Sequence, residues 1–163
     1  EMLRSLVGSE MCIRDREIVN GGSRANIETQ GIIISVRNDS GIIWRDENRR
    51  VLKEDDDRTD AIKDLRIRMI MDDGENCISI IMNRQSSEKF IQKSMEELSE
   101  ELNKTSKEAF IKELRTKLLG SSVNLKGRSI VDQQGAMFLA EQLEVQEKDP
   151  KSYAMEIKTK WGI

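Results

Sequence analysis

The sequence predicts one mostly-β domain with helices, and three observations carry that expectation. Short β-branched runs recur in which apolar and polar residues alternate, as Leu65, Ile67 and Met69 do with Arg66 and Arg68 before Ile70. Between Ser86 and Leu119 the alternation gives way to a helical period, and afterwards it returns. A length of 163 residues suits one core and is short for two.

Residues 1–16 show neither a clean period nor a signal-peptide pattern. Within them, Ser5-Leu-Val-Gly-Ser-Glu-Met-Cys-Ile-Arg-Asp-Arg resembles a translated sequencing-adaptor artefact, the alternative being a short native tail. The stretch is set aside, and native sequence upstream of residue 17 is expected to be missing. With the loop-like Asn20-Gly-Gly-Ser23, residues 1–26 form a disordered or artefactual segment ahead of a domain over 27–146. The first strand is expected from near Ile27 to Arg37, with Gly31 marking a bulge or tight bend. Asn38-Asp-Ser-Gly41 turns the chain into a short strand over Ile42–Arg45. Asp46 to Ala61 is an excursion, and its Glu54-Asp-Asp-Asp57 lacks the glycine and distal glutamate of a calcium loop.

A hairpin follows over Asp64–Asn83, turning at Asp72-Asp-Gly74, whose residues tolerate positive φ. Phe90, Ile91, Met95, Leu98, Leu102, Phe110, Ile111, Leu114 and Leu118 then predict two helices, 86–102 and 106–119. Ser86 or Ser87 caps the start, and Gly120 closes the second helix. A second hairpin joins Ser122–Val131 to Ala136–Val145. Over 147–163 the sequence predicts an amphipathic helix with Asp149 as cap, Pro150 in the first turn, and a stripe of Tyr153, Ile157 and Trp161.

Composition narrows the function. The net charge of -3 gives no global pull toward nucleic acid, so any such surface is local. No apolar run approaches the roughly 20 residues that span a bilayer, and no membrane partner is expected. Histidine is absent and Cys12 and Cys77 stand apart, so this chain alone builds neither a cysteine/histidine zinc site nor a histidine-based triad. Cys77 is expected as a small buried hydrophobe in a reducing, intracellular setting, that is, cytoplasmic. No spacing brings an acid, a base and a nucleophile together, so no enzyme and no catalytic residue is expected.

The order strand, excursion, strand, strand, helices, strand, strand is that of an OB-fold. That is a five-stranded barrel, here with a long helical insertion between strands 3 and 4 and a short C-terminal helix. Other small α+β folds share this periodicity.

Several motifs in this order resemble one family. They are Ile34-Ser-Val-Arg-Asn-Asp-Ser-Gly-Ile-Ile-Trp-Arg45, Arg50-Val-Leu52, Asp64-Leu-Arg-Ile-Arg68, Asp72-Asp-Gly74, Asn83-Arg84, Gly127 and Val131-Asp-Gln-Gln-Gly-Ala-Met137. Over roughly residues 27–146 the chain resembles archaeal-type replication protein A, a single-stranded DNA-binding OB-fold protein. The resemblance implies single-stranded DNA binding in replication, repair or recombination, and subunit contacts through a C-terminal helix. Family members usually carry a cysteine/histidine zinc knuckle where this chain has Asp46-Glu-Asn-Arg-Arg50, so no metal or other cofactor is expected.

Such a surface needs cations for phosphates and flat side chains for bases. The candidates on the sheet are Arg66, Arg68, Arg84, Lys126 and Arg128, with Arg37 and Arg45 at the rim. Trp44 and Phe138 are the stacking candidates. Trp44 serves equally well as core, and for Phe138, on an apolar strand, core is the commoner role. Tyr153, Ile157 and Trp161 are candidates for oligomerisation or for packing on the barrel itself. The competing reading is a protein–protein adaptor or assembly subunit with little nucleic-acid affinity.

Overall fold

The computed structural model describes residues 23–53, 59–133, 135–147 and 150–162, with the backbone alone at 150, 152, 153, 156 and 157. Expectations for residues 1–22, the acidic run 54–57 and the Asp149 cap lie outside the described residues. Among the described residues the strands are β1 (Arg24–Val36), β2 (Gly41–Arg45), β3 (Ile62–Asp72), β4 (Cys77–Met82), β5 (Ser122–Asp132) and β6 (Gly135–Val145). The helices are α1 (Arg84–Ile91), α2 (Met95–Lys104), α3 (Lys107–Leu118) and α4 (Pro150–Trp161).

The strands form a six-stranded mixed sheet in the order β1-β5-β6-β4-β3-β2. Only the β4–β6 ladder is parallel. A further pairing of β1 with β3 returns the ladder to its start, so five strands make a closed circuit and β2 extends one edge of β3.

Closure rests on β1 serving two neighbours. Its first part, from Arg24 to Ile32, pairs with β5, and its last part, from Ile32 to Val36, pairs with β3. The transfer coincides with a register shift between Ile33 and Ser35, and just before it β1 and β3 approach closely at Gly31. A Cβ on Gly31 would stand 2.5 Å from the Asp72 carbonyl oxygen, and one on Gly127 would stand closer still to the Leu139 carbonyl. The irregularity thus falls between Ile33 and Ser35, beyond the Gly31 at which the sequence places a bulge or bend, and Gly31 answers instead to the close approach of β3. The strand begins at Arg24, three residues ahead of the expected Ile27.

Alternation sends Leu65, Ile67, Met69 and Met71 inward from β3 and Ile78, Ile80 and Met82 from β4. Val123 and Leu125 join them from β5, and Phe138 and Ala140 from β6. Met95, Leu98, Phe110, Ile111, Leu114 and Leu118 cover this core from the helices. The helical stretch is three helices where periodicity predicts two. Asn83, not Ser86 or Ser87, caps α1 by accepting from the Ser86 N–H at 3.0 Å, while Ser86 and Ser87 are buried. Gln92 then adopts a left-handed conformation at φ 58° and ends α1. Ser94 and Glu97 open α2 with a reciprocal capping box, a restart hidden by the continuous apolar period. Cys77 is exposed, not buried, because the period of two that turns Ile78 inward turns its neighbour outward.

Two substitutions test this packing. Gly127→Ala forces a methyl against the Leu139 carbonyl and is expected to destabilise the fold by about 1–3 kcal/mol. Thr29 is fully buried and its hydroxyl has no hydrogen-bond partner among the described residues. Thr29→Val is therefore expected to stabilise by about 1 kcal/mol. Urea midpoints read both; a Gly127→Ala midpoint equal to wild type rules out the tight crossing.

Candidate nucleic-acid interface

With the apolar set facing inward, the alternate residues of β3, β4, β6 and β5 form one outer face. The register aligns them laterally: Arg68 opposes Ile81, Ile81 stands beside Leu139, and Leu139 opposes Arg128. Arg37 extends this row, since its backbone N–H donates to the Arg68 carbonyl at 2.9 Å. A parallel row runs through Ile70, Ser79, Met137 and Ile130. The face is therefore aliphatic in the middle and basic at both margins. At strand spacings of about 4.8 Å, Arg37 and Arg128 are roughly 19 Å apart along the sheet.

The basic candidates fall into two groups. Arg37, Lys126 and Arg128 are exposed. The others are held by carboxylates. Asp39, in the turn between β1 and β2, accepts at one oxygen from Arg66 Nη2 at 2.8 Å and from Arg68 Nη1 at 2.5 Å. Arg45 Nε donates to Asp64 at 2.6 Å, and its Nη1 donates to the Arg49 carbonyl at 2.8 Å. Arg84 lies on α1 rather than on the sheet, where it pairs with Glu88 at 2.7 Å and Glu96 at 3.2 Å. Arg45, Asp64, Arg66, Ile81, Arg84 and Leu139 line an open cleft of about 440 Å³ at the end of the face.

Both stacking candidates lie elsewhere. Phe138 is fully buried, because its register with Ile80 places it on the inner face of β6. Trp44 is half exposed, but it pairs with Lys63, and the period of two puts both on the side of β2–β3 opposite Arg66 and Arg68. There Lys63 Nζ sits 5.7 Å from the Trp44 ring centroid. In α4, Trp161 is 70% exposed, whereas the side chains of Tyr153 and Ile157 lie outside the described ones.

The sequence pattern marks Asp39 and Ser40 only as turn residues, and the structure gives both a place in the site. Ser40 is fully buried and its hydroxyl stands in for a strand residue: it accepts from the Arg68 N–H at 2.9 Å and donates to the Arg68 carbonyl at 3.1 Å. From α3, Arg115 donates to the Val36 carbonyl at 3.2 Å and to Asn38 Oδ1 at 2.6 Å. A carboxylate one residue before a turn's last polar side chain, facing two arginines at alternate strand positions, is the signal that was available.

Burial alone would raise the Asp39 carboxyl, but the Arg68 hydrogen bond and the charges of Arg68 and Arg66 outweigh it and hold it below its ordinary value. Burial also lowers the Arg66 guanidinium, against the pull of Asp39. A depressed carboxyl stabilises the fold fully above its unfolded value of about 3.9, and that stabilisation disappears as pH falls through the folded value below it. The stability gap between wild type and Asp39→Asn is therefore expected to narrow below about pH 4, as followed by urea midpoints. A constant gap across the acid range excludes these ion pairs as its source.

No family model and no curated protein matches the chain. Among solved structures, a chain of a replication protein A heterotrimer bound to ssDNA superposes with a TM-score of 0.53 at 12% identity, over 85% of this chain and 35% of that one. RecG bound to a three-way DNA junction gives 0.42 at 13% identity, over 87% of this chain and 13% of RecG. The S. pombe Stn1–Ten1 complex gives 0.38 at 11% identity, over 85% and 73%. The last two scores are too low to carry an argument. The first shows a shared fold alone, and this chain spans about a third of that replication protein A chain.

Proposed function

We propose that the closed circuit is an OB barrel whose outer face binds single-stranded DNA without sequence preference, in replication, repair or recombination. The observation that carries the reading is the transverse row Arg37, Arg68, Ile81, Leu139, Arg128, with cations at its margins and aliphatic side chains between. Marginal cations suit phosphates, and an aliphatic floor gives bases a surface that reads none of their edges. The shared fold with a chain of a heterotrimer bound to ssDNA supports the same reading. With neither Trp44 nor Phe138 on the face, the stacking contribution of about 1–3 kcal/mol per base is not available from them, and binding is weak and backbone-directed. Exposed Met155 and Trp161 support α4 as a contact helix for further subunits.

One observation favours the second reading, an assembly adaptor: Arg45, Arg66, Arg68 and Arg84 each already have a carboxylate. Salt-dependent anisotropy with oligothymidylate separates the two. Replacing Arg37, Lys126 and Arg128 by alanine together is expected to weaken binding and to flatten the log K against log salt slope by about 2, three single-strand contacts at roughly 0.7 each. Absence of any binding at low salt, or an unchanged slope in the triple variant, favours the adaptor.

A further inference from the structure

We propose that Asp39 is an internal occupant of a phosphodiester site: its carboxylate fills the anion position made by Arg66 and Arg68, and a backbone phosphate of a single strand binds there by displacing it. This rests on the nucleic-acid reading of the face and adds to it a specific subsite and the group that competes for it.

Three observations carry the assignment. The two guanidiniums come from alternate positions of β3 and converge on a single oxygen, at 2.8 and 2.5 Å, so the position is built for one anion. Asp39 satisfies it incompletely. Its second oxygen, Oδ1, and the Arg66 Nε are both buried without hydrogen-bond partners among the described residues. A planar carboxylate tethered to the turn leaves that Nε idle, whereas a phosphodiester has two non-bridging oxygens at tetrahedral angles and no tether.

The turn, moreover, does not depend on Asp39. Ser40 is fastened to both backbone groups of Arg68, its N–H donates to the Arg37 carbonyl at 3.1 Å, and Arg115 holds Val36 and Asn38. The Asp39 side chain, 41% exposed, can rotate into solvent while the loop stays in place. An incoming strand then meets two preformed cations, with Arg37 beside them on the same row. Until it arrives, the carboxylate halves their charge and competes with small anions for the position.

The test compares the 163-residue wild type, Asp39→Asn and Asp39→Ser, each first shown to be folded by its urea transition. The probes are oligothymidylate and an abasic phosphodiester oligomer of equal length, with salt varied. Both variants are expected to bind both probes about tenfold more tightly at low salt, with a slope steeper by roughly 0.7 for one further phosphate contact. Two controls bear on the cause: Glu100→Gln, which removes the same charge from α2, and the triple variant Asp39→Asn, Arg66→Ala, Arg68→Ala. The first is expected to match wild type and the second to lose the gain. Equal or weaker binding by the Asp39 variants, with wild type binding, overturns the proposal and leaves the DNA-binding reading standing. So does a gain reproduced by Glu100→Gln, kept by the triple variant, or confined to oligothymidylate. If no variant, wild type included, binds either probe at low salt, both readings fall together.

Discussion

The structure depends on a single strand being shared. β1 pairs with β5 along one stretch and with β3 along the next, and this double duty turns a six-stranded sheet into a circuit of five. Without it, either β3 or β5 would present an unpaired edge. The close approach of β1 to β3 leaves no room for a side chain at Gly31, and the neighbouring crossing leaves none at Gly127. Once the circuit closes, every strand has one inner and one outer row, and the inner row is filled by the aliphatic residues, Phe138 and the helices.

The outer face follows from that constraint. Because β3, β4, β6 and β5 are locked in register, Arg68, Ile81, Leu139 and Arg128 have to line up across the strands. The same locking decides how much of the positive charge is available. The turn after β1 is fastened to Arg68 through Ser40, which brings Asp39 over Arg66 and Arg68, while the register of β2 with β3 brings Arg45 to Asp64. On this face, among the described residues, the cations without a carboxylate partner lie at the margins, on Arg37, Lys126 and Arg128. A chain with net charge -3 thus carries a small, edge-weighted basic surface rather than a basic stripe.

Much of the fold was legible because alternation is a local signal. Leu65, Ile67 and Met69 announce β3 and its inner face, and the order of strands and helices suffices to place the helical insertion after β4. The break at Gln92 was not legible, because helix termini are set by backbone conformation and capping bonds that an unbroken apolar period hides. The site was legible in residue type and not in arrangement. Which face Trp44 shares depends on its pairing with Lys63, and whether an arginine is spoken for depends on a carboxylate such as Asp39, 27 and 29 residues away. Neither follows from spacing along one strand.

The β1–β5 seam also bears on the order of assembly. Glu28 and Asn124, whose side chains bond across it at 2.8 Å, are 96 residues apart. Loop closure over such a distance comes late, after local hairpins such as β3–β4 have formed. Lys126 and Arg128 sit on β5, which this seam joins to β1 and the β5–β6 hairpin joins to the rest of the face. The face itself needs a second such pairing, the parallel β4–β6 ladder that sets Ile80 beside Phe138, so its basic margin is assembled with the circuit and not within either local hairpin.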